Sequence, residues 1–283
     1  MLRMSSKWSV VSCIVVLVVG ALRVLAASVE AQSPKSGTAP TPEVRQALAP
    51  TGTLRVGLVL GNPLGVLRDA ASGEMKGVGF DLGQALARRM GVPFEPVQHP
   101  SAGALVDGAK SGAWDVAFMG VNPARAKEVD FTAPHLEVEL GYLIPGGSSL
   151  STLADVDRPG IRVAVQEGGP VDRLLSDTLT KAVVVRAVRG SGFSGTLELL
   201  QSGRADVLAS SKPILFDTLH QLPGSRVLDG QFASEQHAMG MPKGRDLGAA
   251  YARKFVEDAK SEGLVKAAIE RAGLRGAVVA PLE

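Results

Sequence analysis

The sequence is poor in cysteine and in aromatic residues, and each scarcity excludes a class of protein. Cys13 is the only cysteine among 283 residues and lies close to the amino terminus, so the rest of the chain can form no disulfide and no thiolate metal site. Phenylalanine, tryptophan and tyrosine together make up 4% of the residues, while alanine and valine dominate over them. This composition favours short strand–turn–helix units over a β-sandwich or a coiled coil.

Charge is also scarce, at 20% of the residues and a formal net charge of +2. That excess comes from the amino-terminal segment, where Arg3, Lys7 and Arg23 oppose Glu30. The remainder of the chain is therefore close to neutral. It lacks the basic patch that nucleic-acid binding requires, so we expect no nucleic-acid partner.

Neither a metal site nor a cofactor site is indicated. The four histidines lack the spacing of metal ligands, and no H-E-x-x-H motif occurs. They are His99, His135, His220 and His237. In the glycine-rich stretch "GVGFDLG" (77–83) the last glycine lies one residue too far for the dinucleotide motif G-x-G-x-x-G. We therefore expect no metal and no cofactor.

The amino-terminal segment predicts export. Its basic residues precede an apolar stretch and then small residues, which is typical of a secretory signal peptide. A membrane anchor needs about 20 consecutive apolar residues, and Arg23 interrupts this run after roughly 14. We expect a signal peptide over 1–31, cleaved after Ala31 or Ala27, a flexible arm over 32–50, and a periplasmic mature protein.

Two stretches of the sequence are repeated in the same order. "LRVGLVLGNP" (54–63) is echoed by "IRVAVQEGGP" (161–170), and "SGAWDVAF" (111–118) is echoed by "SGRADVLA" (202–209). The repetition predicts two similar units in one chain. Asn62 follows the first echoed strand, so it is a candidate to hydrogen-bond a ligand, with turn capping as the alternative.

Hydrophobic periodicity predicts alternating strands and helices in both units. The predicted strands are 54–60, 94–98, 115–119, 161–166, 183–187 and 206–210. The predicted helices are 81–90, 102–110, 170–181 and 194–202, followed by two tail helices separated at Gly263. Strands that alternate with helices form parallel sheets with right-handed crossovers, so the fold class is α/β with two lobes.

The stretch that follows the strand at 115–119 contains a candidate anion site. Gly120 lies at the carboxyl end of the strand, where ligands gather in parallel α/β sheets. Asn122 is a favoured helix N-cap, and the next proline suits the first helical position. Arg125 would then add a planar guanidinium to the positive end of a helix, a combination suited to a carboxylate. The alternative is a solvated Arg125 paired with Glu128 or Asp130.

The same stretch, "NPARAKEVDFTAPH" (122–135), resembles the T-P-x-R-x-x-x-x-x-F-T-x-P-Y segment of the family 3, amino-acid type periplasmic solute-binding proteins. "GTLRVGL", "GAWDVAFMG" and "SGRADVLASS" fit the same frame, over residues of about 51–273. The resemblance implies a type II periplasmic-binding-protein fold. Its two lobes, each a mostly parallel sheet flanked by helices, would be joined by two hinge strands. Lobe 1 would comprise 51–141 and 238–283, and lobe 2 would comprise 146–233.

The resemblance also implies a ligand site. The family's carboxylate-binding arginine falls on Arg125, and its small polar position falls on Gly120, where only the backbone N–H can serve. Its lobe 2 helix start falls on Gly168 and Gly169, whose amides could meet an anion. We include Phe118, which precedes Gly120 on the same strand, among the ligand-binding residues.

The sequence departs from the family at the amine-binding position. The family's ammonium-binding aspartate falls on Ser211, whose neutral hydroxyl cannot balance a buried ammonium. Lys212 adds an unfavourable charge, and the aromatic residue that often stacks on the ligand falls near Ala102. These departures predict a small anionic solute without an α-amino group, though Ser211 remains a candidate ligand-binding residue. The alternative is an amine held by Glu167 or Asp172.

These expectations combine into one function. The chain is predicted to be a monomeric solute-binding component of an ABC transporter, which closes over its solute and contacts the membrane only through the permease. An enzyme on the same fold is the alternative, because a periplasmic cyclohexadienyl dehydratase resembles this fold. Asp172, in "GGPVD", would then be the candidate general acid.

Overall fold

The computed structural model describes residues 39–69, 72–188 and 192–283. The predicted signal peptide, 1–31, lies outside these residues, as does the first part of the predicted arm. Within the described ranges, no helix has the length and apolar character needed to cross a membrane.

The strands form one large mixed sheet and one small hairpin. They are β1 Leu54–Val59, β2 Leu67–Arg68, β3 Met75–Lys76, β4 Phe94–His99, β5 Val116–Gly120, β6 Val129–Ile144, β7 Arg162–Gln166, β8 Val183–Ala187, β9 Val207–Ser211, β10 Arg226–Val227, β11 Ala233–Pro242 and β12 Ala277–Val279. The large sheet has the order β4-β1-β5-β11-β6-β9-β7-β8, with β10 and β12 added to β6, and β2 pairs with β3.

The large sheet contains two parallel groups of strands. In the first group β1 pairs in parallel with β4 and β5, and in the second group β7 pairs in parallel with β8 and β9. The two long strands β6 and β11 pair antiparallel with each other and join the groups. This confirms the predicted α/β fold, with parallel pairing inside each group, and it leaves two strands that run from one group to the other.

Helices connect the strands and cover the sheet. They are α1 Pro42–Leu48, α2 Val78–Met90, α3 Ala102–Lys110, α4 Pro123–Ala126, α5 Pro170–Thr178, α6 Gly192–Gln201, α7 Lys212–Thr218, α8 Asp246–Ser261 and α9 Leu264–Arg271, with short 3₁₀ helices at Leu153–Asp155 and Leu219–Gln221. Their ends follow local signals. Ser101 caps α3 by accepting a hydrogen bond from Ala104, and Gly91 ends α2 in the left-handed region.

The predicted arm is shorter than expected. Residues 42–48 form helix α1, which begins at the N-cap Thr41, instead of continuing a flexible segment to residue 50. Leu48 is fully buried and packs with the apolar face of α8, including Phe255. The burial of one leucine side chain is worth about 1.5–3 kcal/mol, which offsets part of the backbone entropy that this short segment loses on ordering.

The apolar core is divided between the two groups of strands. A large cluster packs α2, α8 and α9 against β1 and contains Leu54, Leu86 and Phe255. A second cluster packs α5 against β7 and β9 and contains Val163 and Leu175. This division is the arrangement that two lobes require, and the lobe boundaries given above remain predictions.

The two sequence echoes correspond to two equivalent ion pairs. Arg55 donates two side-chain hydrogen bonds to Asp115, and its Nη2 lies 2.8 Å from Oδ1. Arg162 binds Asp206 in the same way, with Nη2 2.7 Å from Oδ1. Each pair links the first strand of its unit to the residue just before the third strand. The repeated Arg and Asp positions therefore tie together corresponding parallel strands.

Candidate functional site

A cavity of about 820 Å³ lies at the carboxyl ends of β1 and β5. The first wall comes from the loop after β1, the end of β5 and helix α4. The opposite wall comes from helix α7, and residues 272–275, which follow α9, also line the cavity. Phe193 of α6 also lines the cavity. The cavity thus lies where ligands are expected in parallel α/β sheets, and both groups of strands contribute to it.

Arg125 is the principal cation of the first wall. Asn122 caps α4 by accepting a hydrogen bond from the Arg125 amide at 2.9 Å, as predicted. The guanidinium Nη1 then donates to the Gly120 carbonyl oxygen at 2.6 Å. Burial lowers the pKa of Arg125, and the nearby carboxylate of Glu235 opposes that shift. Since a guanidinium carries five N–H donors, most of them remain for an anion in the cavity.

Three further predicted residues line the same cavity beside Gly120. Phe118 is almost fully buried, and its ring contacts the His135 ring edge-on at 5.4 Å. Asn62 accepts a hydrogen bond from the Leu64 amide at 2.9 Å, so its oxygen caps a turn while the residue still reaches the cavity. Ser211 lies on the opposite wall, immediately before α7.

Gly168 and Gly169, by contrast, do not line this cavity. The Gly168 amide donates to Asp172 Oδ2 at 2.8 Å, and the Gly169 amide donates to the Gln166 carbonyl at 3.1 Å. Asp172 occupies the third position of α5 and satisfies the helix start itself. The structure therefore contradicts the predicted anion site at these two amides, because both already donate to acceptors within the chain.

Asp172 is also a poor candidate for the general acid or the amine anchor. It is buried, and it forms an ion pair with Arg186 at 2.9 Å. Burial favours the neutral acid, but hydrogen bonds from Gly168, Arg186 and Ser176 outweigh it, and the pKa of Asp172 is lowered. A general acid must hold its proton near neutral pH, which requires the opposite shift. Glu167, like Asp172, lies outside the cavity lining.

The sequence reasoning missed several residues of the site. Glu235 and His237 of β11 line the cavity beside Arg125. The guanidinium of Arg275, which also lines the cavity, lies 3.8 Å from the centre of the Phe216 ring of α7, a cation–π contact. A signal for the first pair was present, because Glu235 and His237 fall between the predicted end of lobe 2 at 233 and the predicted return to lobe 1 at 238.

The two histidines near the site are held in the neutral form. Burial, with smaller effects from His237 and Lys260, lowers the pKa of His135 to about 3. Burial and the charge of Arg125 lower the pKa of His237 to about 4. Near neutral pH these two histidines therefore add no charge to this side of the cavity. Among the described residues, no group of three or more His, Cys, Asp or Glu side chains could hold a metal ion.

The comparison with known families decides the membership of the chain. A model of the bacterial extracellular solute-binding proteins, family 3, matches residues 54–271. The chain belongs to this family. The match runs from β1 to the end of α9 and includes the cavity residues described above except 272–275.

Individual members of the family are distant relatives. GlnH, the ABC transporter glutamine-binding protein of Bacillus subtilis (strain 168), is 21% identical over 202 residues, which are 70% of this chain and 72% of GlnH. The structure of AbpA from Streptococcus pneumoniae, an amino acid ABC transporter substrate-binding protein bound to L-arginine, has a TM-score of 0.62 at 21% identity. The alignment covers 80% of this chain and 97% of AbpA. These matches confirm the type II periplasmic-binding fold.

A relative named as an enzyme has a similar structure. An ancestral cyclohexadienyl dehydratase aligns with a TM-score of 0.53 at 25% identity, over 84% of this chain and 99% of the dehydratase. The same fold thus occurs in proteins named as binding proteins and as an enzyme, so the fold by itself does not choose between the two activities.

The neutral state of His135 leads to a prediction about acid stability. An unfolded chain takes up a proton near pH 6.5, while the folded protein excludes it until about pH 3. The free energy of unfolding is therefore unaffected by protonation of His135 above pH 6.5, and it decreases as the pH falls from 6.5 towards 3. In His135→Gln we expect the free energy of unfolding to depend less steeply on pH between 5.5 and 4, by about 1.4 kcal/mol per pH unit.

Thermal or urea unfolding at several pH values measures this slope, and the exposed His220 provides the control. His220→Gln should leave the slope unchanged. An identical slope in wild type and His135→Gln would show that His135 does not remain neutral in the folded protein.

Proposed function

We propose that this protein is the extracytoplasmic solute-binding component of an ABC transporter and captures a small carboxylate-bearing solute. The proposal is supported by the family of the chain and by Arg125 at the cavity wall. Its relatives include binding proteins of amino-acid ABC transporters. The amino-terminal signal pattern supports delivery to the periplasm, where a monomer would pass the solute to a membrane permease.

The single observation that carries the proposal is the state of the Arg125 guanidinium. It is partly desolvated, and its one side-chain hydrogen bond among the described residues goes to the carbonyl of Gly120. A desolvated cation with spare donors is stabilised by an anion of matching geometry, and a carboxylate accepts two parallel N–H bonds from guanidinium. The cavity, at about 820 Å³, is large enough for a small solute.

Hinge closure is the mechanism that fits this architecture. Strands β6 and β11 run between the two groups of strands, and the cavity has a wall from each group. A solute held by Arg125 on one side would contact α7 and Ser211 on the other, in place of the amides of Gly168 and Gly169. Because the solute contacts both walls only when they are close, binding shifts the population towards the closed state.

We propose binding without catalysis. The alternative, a dehydratase, is supported by the similarity to the ancestral cyclohexadienyl dehydratase. That alternative needs a proton donor facing the solute. The predicted donor, Asp172, lies away from the cavity lining and has a lowered pKa, so it would be ionised near neutral pH.

A thermal-shift screen tests the proposed function. Purified protein would be heated with the common amino acids and with amine-free carboxylates, including keto acids, aromatic acids and prephenate. A solute present at about 100 times its Kd adds roughly 2.7 kcal/mol of stability, which is a measurable rise in Tm. Uncharged amides of the same acids serve as controls. If no carboxylate raises the Tm, or if the amides raise it equally, the proposal is wrong.

A further inference from the structure

Gly120 leaves a space that two charged groups share. Strand β11 pairs antiparallel with β5, and this register places His237 opposite Gly120. A Cβ atom at Gly120 would lie 2.6 Å from Glu235 Oε1 and 3.2 Å from Arg125 Nη1. The carboxylate of Glu235, on β11, thus occupies the place into which any other residue at position 120 would project its side chain.

The two groups face each other without a direct ion pair. Among the described residues, the carboxylate of Glu235 forms no hydrogen bond, and the guanidinium of Arg125 donates only to the Gly120 carbonyl. Burial raises the pKa of Glu235, and the attraction of Arg125 opposes it, so the carboxylate is desolvated but incompletely compensated. Desolvated charges without bonded partners are costly, and a ligand with the complementary charges removes that cost.

We propose that Glu235 is the second charge anchor of the site and binds the cationic group of a zwitterionic solute whose carboxylate is bound by Arg125. The inference rests on the proposed function and specifies the class of solute. It assigns to Glu235 of β11 the binding of the ligand's ammonium group, which the neutral hydroxyl of Ser211 cannot balance. Gly120 belongs to the same arrangement, because a Cβ atom at this position would displace the Glu235 carboxylate from its present place beside Arg125.

The spacing of the anchors restricts the zwitterion. Both charged groups lie against the same residue, Gly120, so the ligand's cation and carboxylate must be close together. An amine on the carbon next to the carboxylate meets this condition, while an amine at the far end of an alkyl chain does not. The remaining lining includes Phe118, Phe193 and Phe216, which suit an apolar side chain on that carbon. The geometry therefore points to an α-amino acid.

Asp217 is the competing acid of the cavity. It lies on α7, on the wall opposite Arg125, and it is exposed. Water screens an exposed carboxylate, so its attraction for an ammonium is weaker than that of the partly buried Glu235. The two acids make opposite predictions, and their separate removal distinguishes them.

The test is isothermal titration of protein purified from the full 283-residue sequence. The wild type is titrated with the twenty common L-amino acids, and each one that binds is compared with the acid that lacks its amine. L-leucine is paired with 4-methylpentanoate, and L-phenylalanine with 3-phenylpropanoate. In Glu235→Gln we expect amino-acid affinity to fall by at least about 30-fold, while affinity for the amine-free partner changes by less than about 3-fold.

Three variants make the result specific. Glu235→Asp keeps the charge but withdraws it, so the expected loss is smaller than in Glu235→Gln. Asp217→Asn should leave amino-acid affinity nearly unchanged. Glu137→Gln removes a carboxylate of β6 that lies outside the cavity lining, and it is the matched control that should bind like the wild type.

The outcomes separate this inference from the proposed function. Equal losses for amino acids and amine-free acids in Glu235→Gln, or a selective loss in Asp217→Asn alone, overturn the assignment of Glu235. A wild type that binds only amine-free acids also overturns it, while the proposed carboxylate-binding function stands. If the wild type binds no carboxylate at all, both are wrong.

Discussion

Replacement of Arg125 by alanine is expected to abolish high-affinity solute binding while the unliganded protein stays folded. The guanidinium is the cation that this wall offers to a carboxylate, and truncating one partner of a desolvated charge pair costs about 2–5 kcal/mol. That cost corresponds to a loss of roughly 30-fold to several thousand-fold in affinity. The apo Tm should change little, because within the described part of the chain Arg125 makes one side-chain hydrogen bond, to Gly120, and its burial is itself unfavourable.

Titration calorimetry with the solute found in the thermal-shift screen measures this loss, and unfolding of the apo protein measures stability. Arg253→Ala is the matched control, since Arg253 is an exposed residue of α8. Arg125→Lys should retain part of the affinity, because a lysine supplies the charge but not the paired donors. Wild-type affinity in Arg125→Ala would refute the carboxylate site.

The second large effect concerns stability and is expected from Asp115→Ala. The Asp115 side chain is fully buried, and it binds both Arg55 and Arg245, at 2.8 Å and 3.2 Å. Its loss leaves two partly buried guanidinium groups without a counter-charge, which costs about 3–5 kcal/mol. For a protein of this size the Tm should fall by roughly 6–20 °C.

The sequence echo provides the matched comparison for this variant. Asp206 binds Arg162 with the same geometry, but the two side chains are 35% and 41% exposed. Asp206→Ala should therefore cost only about 1 kcal/mol or less, as exposed ion pairs usually do. Calorimetric or urea unfolding of both variants measures the difference. Equal losses would show that burial does not decide the strength of these two pairs.

The local elements of the fold were predictable from the sequence. Alternating apolar periodicities and capping residues act within a few neighbours, so they place strands and helices wherever they occur. The Asn122 cap and the position of Arg125 on α4 belong to this class, since both depend on residues within one turn. The repeated Arg and Asp of the two echoes likewise indicated two similar units before any contact was known.

The content of the site depended on contacts between distant segments. The amides of Gly168 and Gly169 look available in the sequence, but the folded helix start directs Asp172 onto one of them. Helix α1 forms in a segment that resembles a flexible arm, because α8 offers Leu48 an apolar surface. Neither outcome follows from local composition, since each requires the position of a partner.

Glu235 shows the same division most clearly. The sequence by itself determined an α/β chain with an arginine just beyond the end of a buried strand. Only the tertiary structure decided which acid faces that arginine, because the antiparallel register of β11 on β5 is set by long-range pairing. A shift of one residue would turn Glu235 to the other face of the sheet, and no local pattern encodes that register.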